Sequence, residues 1–162
     1  MERLWAPWRM RYIENADNDD GCIFCTKPAE NEDAENLIVL RGEYAFIIMN
    51  AFPYSNGHLM VSPFQHTSSL DELSDAEMLD LMNLTRRSVN LLKAAFKPDG
   101  FNIGINMGRI AGAGIADHVH IHIVPRWGGD TNFMTVLGDV RVIPESLEVV
   151  YQRLVEKLGA AS

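Results

Sequence analysis

The sequence has only two cysteines and no apolar run near the roughly 20 residues that a membrane-spanning helix needs. It has no excess of basic residues either, because 14 Lys and Arg stand against 22 Asp and Glu and give a formal net charge of −8. A general nucleic-acid-binding protein would need a basic face. We therefore expect neither a nucleic acid nor a membrane as a partner.

The N-terminal residues also lack the apolar core of a secretory signal. This absence predicts a cytoplasmic protein whose cysteines stay reduced. The 162 residues, 47% of them hydrophobic, suit a single domain with an ordinary core. We assign residues 1–19 to an N-terminal arm and residues 20–162 to the domain.

Hydrophobic periodicity predicts five strands and two helices. The strands are expected over residues 37–40, 44–49, 58–62, 101–106 and 118–124. Between the third and fourth strands, Ser74 and Glu77 form a capping-box pattern that predicts the start of a long helix, and Pro98 and Gly100 predict its end. A second helix is expected after Pro144. Strands that do not alternate with helices favour an α+β fold with a mainly antiparallel sheet.

Both predicted helices carry apolar residues at the spacing of one helical face. In the long helix these residues are Met78, Leu81, Met82, Val89, Leu92 and Phe96. In the second helix they are Leu147, Val150, Tyr151, Leu154 and Leu158. We expect both stripes to face the core.

The five histidines, which include His58 and His66, are the most informative residues of the chain. Three of them alternate with apolar residues in segment 118–124 (His-Val-His-Ile-His-Ile-Val), as is typical of a half-buried strand. Successive side chains of a strand point to opposite faces, so the three imidazoles should share one face while Val119, Ile121 and Ile123 face the core. Pro125 cannot donate a ladder hydrogen bond and is expected to end the strand.

The residue types leave three interpretations of this row of imidazoles: solvated positions on an exposed sheet face, a metal site, or nucleophilic catalysis. The metal interpretation lacks a carboxylate, because Asp117 is predicted on the opposite face. Catalysis at phosphorus suits a neutral imidazole, which a phosphate anion does not repel. The natural nucleophile is then His120, which is flanked by His118 and His122.

Cys22 and Cys25 form a Cys-x-x-Cys pair. Redox disulfides of this spacing are typical near a βαβ pattern, which the sequence does not show. Half of a zinc site is the better interpretation. Two buried, reduced thiols are the alternative.

Together the motifs resemble one known family. Segment 118–124 matches the His-φ-His-φ-His-φ-φ signature (φ, a hydrophobic residue) of the histidine triad (HIT) superfamily. Segment 50–63 (Asn-Ala-Phe-Pro-Tyr-Ser-Asn-Gly-His-Leu-Met-Val-Ser-Pro) looks like its ribose-side segment, and segment 110–117 looks like its glycine-rich approach to the triad. The tail 125–133 and the Leu-Trp-Ala-Pro-Trp-Arg start are similar to its bacterial diadenosine tetraphosphate phosphorylase-like branch, near the fragile-histidine-triad-like proteins.

The resemblance implies catalytic roles for four histidines. His120 would form a nucleotidyl-histidine intermediate, and His122 would donate to the leaving oxygen or bridge phosphate oxygens. His118 is the first residue of the triad. His58, in the Gly-His pair, would support the triad, and a structural histidine inside the sheet is the alternative.

The resemblance also implies substrate-binding residues. Asn50 would bond the ribose hydroxyls, unless it only starts a turn, and Asn106 would approach the phosphates. Gly112 and Gly114 would offer backbone N–H groups, in a stretch where many relatives place Gln or Ser. Trp127 would stack on a base, line the pocket edge or lie at an interface.

A structural zinc ion and a homodimer are implied as well. In the zinc-bearing members of the family, the residues matching Cys22, Cys25, His66 and His118 are the ligands. In the dimer two half-sheets would join, and the arm that contains Trp5, Pro7 and Trp8 would reach the partner subunit or cap the core.

The implied substrate is a nucleotide, above all diadenosine tetraphosphate, cleaved by phosphate or by water through the nucleotidyl-histidine. Three alternatives stay open: a nucleoside phosphoramidate hydrolase, a weakly catalytic nucleotide-binding adaptor, and a metalloenzyme that uses the triad as ligands.

Overall fold

One five-stranded antiparallel sheet and three α-helices make up the described part of the chain, residues 21–131 and 143–160 of a computed structural model. In chain order the elements are α1 (Ile23–Glu30), β1 (Ile38–Arg41), β2 (Ala45–Met49), β3 (Leu59–Pro63), α2 (Asp75–Phe96), β4 (Gly100–Ile105), β5 (Ile121–Arg126) and α3 (Leu147–Ala160). This single-domain architecture confirms the α+β expectation. The predicted N-terminal arm, with its tryptophans, lies outside the described residues.

The strands follow the order β1-β2-β3-β5-β4, and every neighbouring pair is antiparallel. Strand β5 therefore lies between β3 and β4, and β4 forms one edge. None of the helices in the described ranges combines the length and the apolar character that crossing a membrane requires.

The sheet is covered on both faces. The larger core cluster places Ile47, Val61 and Ile123 with residues of α2 and α3, among them Leu81 and Leu154. The smaller cluster lies on the opposite face. Its members are Phe24 of α1 with Ile38, Phe46, Ile48 and Met60. Because alternate residues of β2 face the two clusters, all five are buried.

The histidine segment departs from its predicted strand at both ends. Val119, Ile121 and Ile123 face the larger cluster as expected, but the strand begins only at Ile121. Before it, Val119 N–H donates to the carbonyl of Thr67, outside the ladder. The expectation that Pro125 ends the strand is wrong: it pairs with Phe101, and the strand runs on to Arg126. Pairing with β3 stops at Ile123, and a residue without an N–H is tolerated where only one neighbour remains.

Helix α2 begins with the predicted capping box, Ser74 with Glu77, and ends at Phe96. It ends before Pro98 and Gly100, as predicted. One detail of the helix prediction is wrong, because Met82 is 52% exposed. The next strand, β4, begins at Gly100, one residue earlier than predicted. The buried face contains polar residues that hydrophobic periodicity cannot detect. Its members are Leu81, Leu84, Thr85, Ser88, Leu91 and Leu92.

The polar members of this face satisfy their hydroxyls within the helix. Thr85 donates to the Leu81 carbonyl at 2.8 Å, and Ser88 donates to the Leu84 carbonyl at 2.9 Å. A buried hydroxyl with such a partner carries little penalty. Helix α3 follows its prediction, with Val150 and Leu154 buried.

Candidate active site and metal centre

Helix α1, which the sequence analysis did not predict, covers the face that carries the imidazoles. Phe24 is fully buried, and its ring centroid lies 5.3 Å from that of His118 and 4.7 Å from that of His120. His118 and His120 are 0% and 3% exposed, and His122 is half-buried. The interpretation of the row as solvated surface positions is therefore wrong, because α1 removes most of this face from water.

His120 is held in one tautomer by the backbone. Its Nδ1 lies 2.9 Å from the carbonyl oxygen of His118, so Nδ1 carries the proton and donates it. The lone pair is then on Nε2, the nitrogen that could attack an electrophile. Burial lowers the pKa of the His120 imidazole, opposed by the bond to the carbonyl. A lowered pKa keeps the ring neutral near pH 7, as a nucleophile must be.

His58 and His122 form a directional hydrogen-bond chain. The backbone N–H of Tyr54 donates to His58 Nδ1 at 3.1 Å, so the proton of His58 is on Nε2. His58 Nε2 lies 3.0 Å from His122 Nδ1 and donates to it. His122 therefore carries its own proton on Nε2. The ring centroids of His120 and His122 are 4.8 Å apart, so the imidazole with the Nε2–H donor and the imidazole with the Nε2 lone pair are neighbouring rings.

Asn50 lies at the start of the loop that carries His58. Its Oδ1 accepts from the N–H of Phe52 at 2.9 Å, the local turn that was the alternative interpretation. Its Nδ2 lies 3.4 Å from His58 Nδ1. The structure thus brings Asn50 to the end of the histidine chain, and its contact with a ribose stays a prediction.

The glycine-rich stretch forms its own turn. Gly112 has a φ of 89°, and its N–H donates to the carbonyl of Arg109 at 3.0 Å. Asn106 Nδ2 lies 3.5 Å from the Gly112 carbonyl. Because the Gly112 N–H is already engaged, a phosphate contact through it would need this turn to open. The role of Gly114 in substrate binding stays a prediction.

Trp127 contacts the end of helix α2. Its indole Nε1 donates to the carbonyl of Phe96 at 3.4 Å. Next to it, the N–H of Gly128 donates to Asp99 at 2.8 Å. These contacts connect Trp127 to the segment between α2 and β4, and its role in binding a base stays a prediction.

The four predicted metal ligands meet at one point. Cys22, Cys25, His66 and His118 bring one ligand atom each within 4.8 Å of all the others. Cys22 Sγ lies 3.2 Å from His118 Nδ1, Cys25 Sγ lies 3.3 Å from His66 Nδ1, and the two Nδ1 atoms are 3.2 Å apart. Tetrahedral zinc with sulfur and nitrogen ligands implies edges of about 3.3–3.8 Å. This set of donors could hold a metal ion.

His118 has the tautomer that a metal ligand needs. Its Nε2 lies 2.9 Å from the carbonyl of Pro63 and donates to it, so the lone pair of Nδ1 faces the cysteines. Burial is the main cause that raises the pKa of the Cys22 thiol to about 11. A nearby cation would reverse this preference, because a coordinating thiol loses its proton.

Sequence reasoning missed two residues of the site. Phe24 covers His118 and His120. Tyr54 packs its ring against His58 and His122, with centroid distances of 4.7 and 5.8 Å. In the sequence, Phe24 lies between the two cysteines and Tyr54 lies in segment 50–63. Their positions inside these motifs could have indicated a role in the site. Nothing in either residue type separates such a contact from an ordinary core aromatic.

Comparisons with known proteins match the sequence to one family and to named relatives. A family model described as "HIT domain" matches residues 31–129. The chain is 40% identical over 154 residues to a Mycobacterium tuberculosis protein named AP-4-A phosphorylase, covering 91% of this chain and 79% of that one. It is 28% identical over 137 residues to an adenosine 5′-monophosphoramidase of Schizosaccharomyces pombe, covering 85% and 98% of the two chains.

Two solved structures superpose on the fold of this chain. A zinc-bound histidine triad family protein from Mycobacterium smegmatis superposes with a TM-score of 0.70 at 26% identity, covering 87% of this chain and 95% of that one. A histidine triad nucleotide-binding protein from Sulfolobus tokodaii gives the same TM-score at 27% identity, covering 86% and 93%.

Proposed function

The chain belongs to the HIT family, and from this premise we propose that it cleaves dinucleoside polyphosphates by transferring a nucleotidyl group to His120 and then to phosphate or water. One observation carries the proposal: the Nδ1–H of His120 is bonded to the His118 carbonyl, beside an Nε2–H donor on His122. A lone pair and a proton donor on neighbouring rings are what a two-step displacement at phosphorus requires.

In the first step, His120 Nε2 forms a bond to the α-phosphorus while the bond to the bridging oxygen breaks. His122 donates a hydrogen bond from its Nε2–H to the leaving oxygen and stabilises the charge that develops there, and for diadenosine tetraphosphate the leaving group is ATP, which departs as an anion. In the second step, phosphate or water attacks the same phosphorus, and an attacking water releases its proton to solvent. The N–P bond breaks and releases ADP or AMP respectively.

The His58 chain and the buried surroundings serve these steps. His58 holds the proton of His122 on Nε2, so the donor is ready when the leaving oxygen develops charge. Phe24 lies against His120 and limits water on that side. Asn50 and Asn106 are the residues we assign to the ribose and the phosphates, with Gly112, Gly114 and Trp127 as further substrate contacts.

Diadenosine tetraphosphate is the leading substrate because the M. tuberculosis relative is named for its phosphorolysis. The direct test is incubation with diadenosine tetraphosphate, with and without inorganic phosphate, followed by nucleotide chromatography. Phosphorolysis gives ATP and ADP only when phosphate is present, whereas hydrolysis gives ATP and AMP in both samples. Quenched turnover should also show a nucleotide attached to His120 by mass spectrometry, and its absence at every time point would contradict the mechanism.

A nucleoside phosphoramidate is the second candidate substrate. The S. pombe relative is named a phosphoramidase, and Gly112, Ala113 and Gly114 stand where many family members carry Gln or Ser. The same chemistry would release ammonia and AMP from adenosine 5′-phosphoramidate. Rapid turnover of this compound with slow turnover of diadenosine tetraphosphate would favour this candidate. Nucleotide binding with no product from either compound would favour an adaptor.

We infer that zinc is the metal held by Cys22, Cys25, His66 and His118. Two thiolates and two imidazoles suit Zn²⁺, and four protein ligands leave no open position for catalysis. When bound, the ion supplies a cross-link between α1 and the segment before β5. Metal analysis of the purified protein should give about one zinc per chain. Full activity of a folded, metal-stripped sample would exclude the metalloenzyme alternative.

We also propose that two copies associate through β4, as the family resemblance implies. Strand β4 forms an edge of the sheet, and Ile103 on it is 49% exposed. Light scattering should give twice the mass of one chain, and Ile103→Lys should lower it. A monomeric wild type would contradict the proposal. We also propose a cytoplasmic location, which the two free cysteines of the described residues support.

A further inference from the structure

The C-terminal segment holds the loop that carries His58. Glu145, just before α3, accepts a hydrogen bond from Asn56 Nδ2 at 2.7 Å. The same carboxylate pairs with Arg153 of α3, with contacts of 2.5 Å and 3.2 Å to the two guanidinium Nη atoms. Glu145 and Arg153 both lie outside the residues that the family model matches.

Asn56 depends on this contact. It is 9% exposed, and its Oδ1 has no hydrogen-bond partner within the described ranges. Because Glu145 is an acceptor, it decides which end of the amide points toward it. A buried amide that loses its strongest partner is costly to keep in place. Removing the carboxylate should therefore let this turn move.

The turn leads directly to His58. Gly57 has a φ of 76°, and a Cβ there would lie 3.1 Å from Leu92 and 3.3 Å from Phe96. The N–H of His58 then donates to the carbonyl of Ser55 at 3.1 Å. The turn is thus held between Glu145 on one side and the end of α2 on the other, one residue before His58.

We propose that Glu145 is a positioning residue for catalysis: through Asn56 it holds the turn 55–58 so that His58 keeps donating to His122. The inference rests on the proposed function, because it matters only if the Nε2–H of His122 donates a hydrogen bond to the leaving oxygen. Arg153 orients the carboxylate and itself packs over the ring of Phe96, 5.1 Å from its centroid. Helix α3 is in this way part of the active-site support.

Glu145→Ala tests the proposal. The donor should be misaligned while the nucleotide contacts stay, so kcat should fall roughly tenfold with KM nearly unchanged. Glu145→Gln keeps an oxygen that can accept from Asn56, so its kcat should stay within about threefold of the wild type. Ser74→Ala, at the start of α2, controls for a general loss of stability.

A reversed pair makes the test more specific. Asn56→Asp places two carboxylates against each other and should lower kcat at least as much as Glu145→Ala. Adding Glu145→Gln to Asn56→Asp restores a hydrogen bond of opposite polarity and should recover most of the lost kcat. A double variant no better than Asn56→Asp alone would count against a direct contact between the two residues.

Nitrogen-15 NMR of the histidine rings reports the same effect without turnover. His58 should be the Nε2–H tautomer in the wild type and a mixture in Glu145→Ala, with Ser74→Ala like the wild type. If Glu145→Ala lowers the melting temperature but leaves kcat and the His58 tautomer unchanged, the residue is only structural and the proposal is overturned. A wild type that cleaves neither diadenosine tetraphosphate nor adenosine phosphoramidate refutes the proposed function, and the NMR result still decides whether Glu145 positions His58.

Discussion

Of the three histidines in segment 118–124, the first (His118, the metal end) and the last (His122, the proton-donor end) have the same side chain but different neighbours. His118 turns its Nδ1 toward Cys22, Cys25 and His66, and its Nε2 is bonded to a backbone carbonyl. His122 turns its Nδ1 toward His58 and keeps a proton on Nε2. The metal end is therefore suited to hold a cation, and the proton-donor end is suited to donate a hydrogen bond. The difference comes from the acceptors and donors supplied by other segments.

His120 lies between the two ends and depends on both. The carbonyl of His118 fixes its tautomer, and the ring of His122 is its neighbour on the other side. His118 thus contributes its side chain to the metal centre and its backbone carbonyl to the orientation of His120. A substitution at the metal end should affect His120 through the stability of the fold. A substitution at the proton-donor end should affect the reaction through the hydrogen bond to the leaving oxygen.

The largest effect is expected at His120, which lies between the two ends. His120→Asn removes the attacking nitrogen, and removal of a nucleophile lowers kcat by about a thousandfold or more. Nucleotide binding should be retained, because the substrate contacts lie on other residues. Product chromatography measures the rate, and isothermal calorimetry with a nonhydrolysable nucleotide measures binding. Activity near that of the wild type would mean that another atom attacks phosphorus.

Removing a ligand at the metal end should mainly lower the free energy of unfolding. Cys25→Ser removes one of four ligands, and loss of a metal site is among the few changes that cost more than about 4 kcal/mol. For a chain of this size we expect the melting temperature to fall by roughly 8–16 °C. Calorimetry with parallel metal analysis checks this. If a chelator strips the metal and the melting temperature does not move, the ion does not support the fold.

Substituting His58 at the proton-donor end should mainly lower kcat. His58→Ala removes the ring that sets the tautomer of His122 and supplies no other donor. Loss of a hydrogen bond to a group that meets charge, about 1.5–3 kcal/mol, should lower kcat about 10- to 100-fold. The zinc content should equal that of the wild type, which separates this end from the other. Steady-state kinetics would show the loss in kcat. An equal loss of zinc would mean that the two ends are not independent.

The smallest effect is expected far from both ends. Ser74→Ala removes the cap of α2, where the Ser74 Oγ accepts from the N–H of Glu77. Such a change costs about 1 kcal/mol. The melting temperature should drop by roughly 2–4 °C, with kcat and zinc content unchanged. A larger loss of activity would show that α2 is coupled to the site more strongly than its contacts suggest.

Periodic segments were the most predictable part of the fold. The capping box at Ser74 and the stripe of α3 depend on local spacing, and both were found where expected. Met82 was misassigned because the core face of α2 is completed by Thr85 and Ser88, whose hydroxyls are satisfied inside the helix. Helix α1 was missed because it has only eight residues, too few to show a helical period, and contains Pro28. It is stabilised by the contacts of Phe24 with the sheet.

For the site, residue types indicated the chemistry and the fold supplied the directions. The row of histidines and the Cys-x-x-Cys pair predicted a catalytic imidazole and a metal centre, and the four proposed ligands meet as the family resemblance implied. The hydrogen-bond directions that separate His118 from His122 could not be predicted from spacing. They depend on Pro63 and Tyr54, which carry no chemical signature in the sequence.

The amino-acid sequence alone determined the alternating segment that sends Val119, Ile121 and Ile123 to the core, because side-chain direction in an extended chain follows from local geometry. Only the tertiary structure decided which nitrogen of His118 and of His122 holds its proton. A tautomer is set by the partner at the far side of the ring, and those partners come from segments up to 64 residues away along the chain.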